Sequence, residues 1–239
     1  MWSGPRNLST AMMRAWENRP DTEVIDEPFY AYYLTKTNRP DPLAEETVKA
    51  GITDWQSVIK QLNTPPSEGL AYHKHITTHV FPDDPLEWLN GNSGMRHVFL
   101  IREPERVVAS FTQLFEEDDV NELIDHIGFN QQHRIFNYLH EQTGQLPLVI
   151  DSTQFLKNPQ HYLERICSEL DIPFFPAMLS WPKGARSSDG VWGSHWYHSV
   201  NKSTQFGPAP QSLPTLNEQQ QTVAAQCRGA YEALLQHVI

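Results

Sequence analysis

The 239-residue chain is expected to fold as a three-layer α/β/α domain around a mostly parallel sheet, and three features predict this. Short apolar runs alternate with longer amphipathic stretches, the order produced when parallel strands are joined by helical crossovers. A Ser/Gly turn near the start opens into a hydroxyl-rich helix. A later apolar run ends in an arginine and feeds the next helix, so polar groups gather where strands stop. Strands are expected at Glu23–Asp26, Leu70–Ile76, His97–Ile101 and Leu146–Ile150. Helices are expected at Leu8–Glu17, Asp54–Leu62, Glu105–Phe115, Glu122–Leu139, Pro159–Leu170 and Glu218–His237. Proline-rich stretches at Asn38–Pro42, Thr64–Pro66 and Pro208–Pro214 read as loops, and no repeat or linker marks a second domain, so residues 1–239 are expected to form one.

The first turn is the most informative stretch. Ser3, Gly4 and Pro5 let the backbone turn, Arg6 brings a positive charge, and Asn7 and Leu8 lead to Ser9 and Thr10 at the start of a helix. Free N–H groups and hydroxyls at the positive end of a helix suit a phosphate. The Gly-Lys pair of a nucleotide-kinase loop is missing, so the loop suits a phosphate other than ATP's. Taken alone, Ser/Thr before an apolar helix is also an ordinary N-cap.

The second element is far along the chain. The run ending at Ile101 is followed by Arg102, and Ser110 lies eight residues on, two turns into the next helix. Arginine and serine can then reach one phosphate from two sides. By itself the pattern equally describes a strand-end salt bridge and a solvent-facing serine.

With both elements in order, the chain resembles the sulfotransferases that use 3′-phosphoadenosine 5′-phosphosulfate (PAPS), whose fold is P-loop NTPase-like. The resemblance implies that the first loop, Ser3 to Thr10, binds the 5′-phosphosulfate, and that Arg102 and Ser110 bind the 3′-phosphate. Lys183 to Trp196 loosely resembles the family's closing loop, which would give Arg186 and Trp192 nucleotide contacts. Leu146–Asp151, Phe155–Pro159 and the helix from His161 to Leu170 look like the strand and helix before that loop. PAPS is the implied donor, adenosine 3′,5′-bisphosphate (PAP) the product, and no metal is required. The chain departs from the family twice. Arg6 stands where the cytosolic branch has a lysine, and a guanidinium is a poorer proton donor. Only Met1 and Trp2 precede the loop, where a strand of about five or six residues is usual, so either that strand is short or residues upstream are absent.

An acceptor must lose a proton as the sulfuryl group arrives. Asp26 and Glu27, after the second strand, offer a base at the strand end. Glu27 resembles the glutamate before proline that serves as base in bacterial and Golgi branches; Asp26 is the alternative, with Glu27 then exposed, and a solvated acidic turn is the plain reading. Lys74 resembles the lysine that stabilises charge on the sulfuryl oxygens. Ile76 occupies the place of the cytosolic catalytic histidine, leaving His75 or His79 as substitute bases if either imidazole reaches the acceptor. His73-x-His75 with His79 also suggests a metal, but no carboxylate completes the set. Trp192 and Trp196 can stack on adenine or line an acceptor site with Tyr30 and Tyr33, though most aromatics should be core. Glu116–Asp119 reads as a solvated loop.

A net charge of −11 argues against nucleic acid or a sulfated polysaccharide as partner and favours a small neutral or cationic acceptor. Two cysteines without metal-ligand spacing suggest a reducing, cytoplasmic setting. No run has the roughly twenty apolar residues needed to cross a bilayer. The expected activity is transfer of a sulfuryl group from PAPS to a hydroxyl or amine. A P-loop nucleotide or small-molecule kinase and a catalytically silent nucleotide-binding protein are the rival readings.

Overall fold

A computed structural model describes residues 1–37, 41–90, 94–115 and 119–239. The expected loop at Asn38–Pro42 and the acidic stretch Glu116–Asp119 therefore fall largely outside the described residues. The elements run β1 (Trp2–Ser3), α1 (Ser9–Glu17), β2 (Thr22–Asp26), α2 (Tyr30–Thr37), α3 (Ala44–Ala50), α4 (Trp55–Leu62) and β3 (Leu70–Ile76). They continue with β4 (Val98–Ile101), α5 (Pro104–Phe111), α6 (Val120–Ile127), α7 (Phe129–Thr143), β5 (Leu148–Asp151), α8 (Ser152–Lys157), α9 (Pro159–Glu169), α10 (Gly193–Trp196), α11 (His198–Lys202) and α12 (Glu218–Leu235). The chain folds into two compact units, one of residues 1–9, 76–158 and 208–239, the other of residues 10–75 and 159–207.

In the first unit β1 pairs with β4, and β4 with β5, both parallel, with Trp2 opposite Phe99 and Val98 opposite Leu148. All four residues of β4 are buried, the unbroken apolar run of a parallel strand covered on both faces. Helix α12 packs against α5, α6 and α7 through Val223, Ala224, Cys227, Ala230, Tyr231 and Leu234, spaced three and four apart on one stripe. The single helix expected over Glu122–Leu139 is two. Gly128 separates α6 from α7 at φ 76°, where an added Cβ would lie 2.3 Å from Thr78 Cγ2, so only glycine fits this corner.

In the second unit β2 and β3 are parallel, with Ile25 opposite His73 and Asp26 opposite Lys74. Arg19 locks the unit from beneath. Its buried guanidinium pairs with Asp21 at 2.9 and 3.0 Å, donates to the Pro173 carbonyl at 2.7 Å and lies over the rings of Trp16 and Phe175. Sequence reading missed α2, because Tyr30 to Leu34 are all buried and hide the helical period.

Candidate active site

One cluster of candidate side chains forms in each unit. In the first, Arg6 Nε donates to Ser110 Oγ at 2.9 Å, and Arg102 donates to the Arg6 carbonyl at 2.8 Å. The first loop, the strand-end arginine and the helix serine, separated by about a hundred residues, thus converge. The loop backbone is left-handed at Arg6 (φ 61°) and Leu8 (φ 68°), conformations that non-glycine residues rarely adopt and that occur where successive N–H groups form an anion-binding concavity. Asn7 fixes this shape: its amide donates to the Leu100 carbonyl at 2.6 Å and its oxygen accepts from Ser152 at 3.1 Å. The Asn7 side chain is therefore an anchor rather than a ligand contact.

The charge of this cluster is only partly compensated: Glu103 and Asp151 act on Arg102 from beyond ion-pair range. Burial holds both guanidinium groups below their ordinary pKa, and Arg6 lowers Arg102 further by repulsion. Among the described residues, neither arginine has a carboxylate in ion-pair range, and the buried Ser3 hydroxyl has no hydrogen-bond partner. Ser9 is buried at the start of α1 and Thr10 is half-buried beside it. Two guanidinium groups, a loop of N–H donors and orphaned hydroxyl capacity are the donor set of a phosphate site.

The second cluster centres on Lys74, buried to 1 % exposure. Register places it opposite Asp26, whose Oδ1 accepts from its ammonium at 2.9 Å. Consecutive strand residues point to opposite faces, yet Glu27 also accepts from Lys74. The left-handed turn at Glu27 (φ 42°) makes this possible by rotating the chain as β2 ends. The third donor goes to Tyr197 Oη at 2.7 Å, so all three ammonium N–H groups are occupied. Burial opposes the lysine charge, but Asp26 and Glu27 outweigh it and raise the pKa. At Asp26, burial dominates and pushes the carboxyl up despite Lys74.

Asp26 and Glu27 are 8 % and 9 % exposed, so the plain reading of a solvated acidic turn is corrected: the turn is sealed. Asp26 also accepts from Tyr197 Oη at 2.8 Å and from the Gly190 N–H at 3.1 Å, filling both its oxygens. Trp192 is edge-on to Tyr30, ring centroids 5.0 Å apart, and donates to Tyr197 Oη at 3.2 Å. Arg186 is drawn to Glu17, its Nε 3.8 Å from the carboxylate. A buried arginine in α1, Arg14, binds Asp189 through two parallel hydrogen bonds of 2.6 and 2.7 Å and so tethers the segment before Gly190.

His75 lies on the face of β3 opposite Lys74, beside Phe29 at 5.8 Å and His73 at 5.9 Å, so the structure does not bring it to the carboxylates. His79 is buried at the end of a one-turn helix in the first unit. Among the described residues no group of three His, Cys, Asp or Glu is placed to hold a metal. Sequence reasoning missed Tyr197, Arg14 and Asp189. Nothing local marks Tyr197, which lies 123 positions from Lys74. Arg14 carries a signal: an arginine inside the apolar run Ala11 to Trp16 needs a buried partner.

A family model described as a sulfotransferase domain matches residues 1–235. Two Arabidopsis thaliana proteins match as well. Branched-chain-amino-acid aminotransferase-like protein 2 is 31 % identical over 239 residues, covering 99 % of this chain and 41 % of its own length. Branched-chain-amino-acid aminotransferase-like protein 1 is 33 % identical over 214 residues, covering 89 % and 37 %. The chain spans about two fifths of the length of these relatives. Among solved structures, a sulfotransferase from Alicyclobacillus acidocaldarius is similar with a TM-score of 0.58 at 12 % identity, over 100 % of this chain and 96 % of that one. At that identity the likeness is one of fold. The match of the family model across nearly every residue is of another order, and by it the chain belongs to the sulfotransferase domain family.

Proposed function

We propose that this sulfotransferase domain takes PAPS as donor and transfers the sulfuryl group to a hydroxyl or amine of a small neutral or cationic acceptor. The observation that carries the reading is the convergence of Arg6, Arg102 and Ser110, half-buried and, among the described residues, with no carboxylate in ion-pair range of either arginine, on one loop of N–H donors. Arg102 and Ser110 hold the 3′-phosphate and so discriminate against ATP. Arg6 and the loop neutralise charge on the sulfuryl oxygens and the leaving 5′-phosphate. In the transfer, the acceptor's O–H or N–H proton passes to Glu27 and the acceptor bonds to sulfur. The sulfur–oxygen bond to the 5′-phosphate breaks in line, leaving PAP.

The geometry divides the labour of the two adjacent carboxylates. Asp26 is filled by donors from Lys74, Tyr197 and Gly190 and acts as an anchor. Glu27 is the base, and Lys74, with no donor left over, holds it rather than the sulfuryl oxygens. Two free, buried cysteines, Cys167 and Cys227, support a reducing compartment such as the cytoplasm.

Calorimetric titration with PAP beside ATP and magnesium tests the donor. Micromolar binding of PAP with little ATP binding is expected; the reverse preference makes the domain a kinase, and binding of neither means a lost cofactor site. Arg102→Ala should weaken PAP by about 1.5–3 kcal/mol, the scale of a charged hydrogen bond, and leave 5′-AMP nearly unchanged. Equal losses for both ligands would remove Arg102 from the 3′-phosphate.

A further inference from the structure

We infer that Tyr197 is a positioning residue of the transfer step, the junction through which the segment from Asp189 to Tyr197 holds Lys74 and, through it, Glu27. The inference rests on the reading of Glu27 as base. A phenol hydroxyl has one donor and two acceptor lone pairs, and Tyr197 uses all three within its own unit. It donates to Asp26 at 2.8 Å and accepts from Lys74 Nζ at 2.7 Å and from Trp192 Nε1 at 3.2 Å. Lys74 in turn divides its three protons among Asp26, Glu27 and Tyr197.

The phenol proton has acceptors on both carboxylates, Asp26 at 2.8 and 2.9 Å and Glu27 at 3.3 Å, whereas Lys74 and Trp192 each direct one N–H at the phenol oxygen. If the Tyr197 hydroxyl departs, Lys74 has an N–H without an acceptor in a place almost closed to water, and Trp192 has another. The ammonium then shifts toward the two carboxylates, and Glu27 loses the fixed direction from which it accepts a proton. The segment is independently pinned to the same carboxylate, because the Gly190 N–H donates to Asp26 at 3.1 Å. Gly190 has no side chain because the Trp192 ring fills that volume: a Cβ would lie 2.1 Å from it. Segment and base are thus one hydrogen-bonded body, and the base is aimed only while the segment is in place.

Tyr197→Phe keeps the ring and removes the hydroxyl. In 15N-labelled protein, exchange of the Lys74 ammonium protons with water should quicken by at least about tenfold, as expected for one lost hydrogen bond. Turnover of PAPS with 4-nitrophenol as probe acceptor should fall roughly 10- to 100-fold, with PAP affinity held within about twofold. Glu27→Gln alone should reduce turnover by about two to four orders of magnitude. Adding Tyr197→Phe to it should cost less than about twofold more, since a residue acting through the base has nothing left to act on. Unchanged Lys74 exchange, or losses that multiply in the double variant, would overturn the inference. Full turnover in Glu27→Gln would instead defeat the base assignment, and Lys74 exchange would still decide the Tyr197 contact. Trp192→Phe removes the indole N–H together with part of the ring beside Gly190 and should move both readouts in the same direction by less, which keeps the test open if Tyr197→Phe does not fold; no movement there counts against it.

Discussion

Lys74 spends its whole hydrogen-bonding capacity inside the protein, which makes it the most consequential single side chain of its unit. Two carboxylates and a buried tyrosine are stable together only because an ammonium sits among them. Lys74→Ala should therefore cost about 3–5 kcal/mol at pH 8, the scale of breaking a buried ion pair by deleting one partner. The cost should be smaller at pH 5, because burial pushes the Asp26 carboxyl up and its protonation relieves the repulsion. Urea unfolding at the two pH values measures this. An equal loss at both would mean that the carboxylates are not what Lys74 holds. At this scale the sequence marked Lys74, Asp26 and Glu27, which the structure brings together, but could not rank the two acids. Their different hydrogen-bond partners follow from the turn at Glu27 and from donors supplied by Tyr197 and Gly190, remote in the chain.

Local signals mark several elements, including one that the sequence reading passed over. The Asp151 side chain accepts from the Gln154 N–H and starts α8, an Asp-x-x-Gln pattern present in the sequence, although α8 itself was not foreseen. Helix α12 opens with a capping box in which Asn217 and Gln220 satisfy one another's backbone N–H groups. Asn217→Ala should destabilise the first unit by about 1 kcal/mol, read as a lower urea midpoint with unchanged slope. A change in slope would indicate that α12 frays instead of losing a cap. The lost period of α2 and the corner at Gly128 were not legible, because each is set by what packs around it.

For the molecule as a whole, the acid limb of stability has an identifiable source in His97. Burial lowers its pKa to about 4, and the geometry agrees. Nδ1 accepts from Trp2 Nε1 at 3.2 Å, while Nε2 lies 3.1 Å from the Leu89 carbonyl and donates to it, an assignment only neutral imidazole satisfies. The unfolded chain takes up this proton below about pH 6.5, whereas the folded chain resists until about pH 4. The stabilisation is therefore complete above about pH 6.5 and is lost as pH falls toward 4. His97→Gln should flatten stability between pH 6.5 and 4 relative to the wild type in urea titrations. An unchanged slope would assign the acid limb to other groups.

Motifs that depend on short spacing were readable from the chain alone. The turn from Ser3 to Thr10, the arginine eight residues before a serine, and the strand-end Asp26-Glu27 pair each sit within about two helical turns, so local backbone geometry determines what they present. The family and its fold followed from their order. Tertiary structure alone decided which groups are spent and which remain. Asn7 became an anchor, His75 turned to the far face of β3, and Tyr197 joined Lys74 across 123 positions. The reason is physical: hydrogen-bond valences are filled by whatever the fold brings near, and burial makes each unfilled one costly.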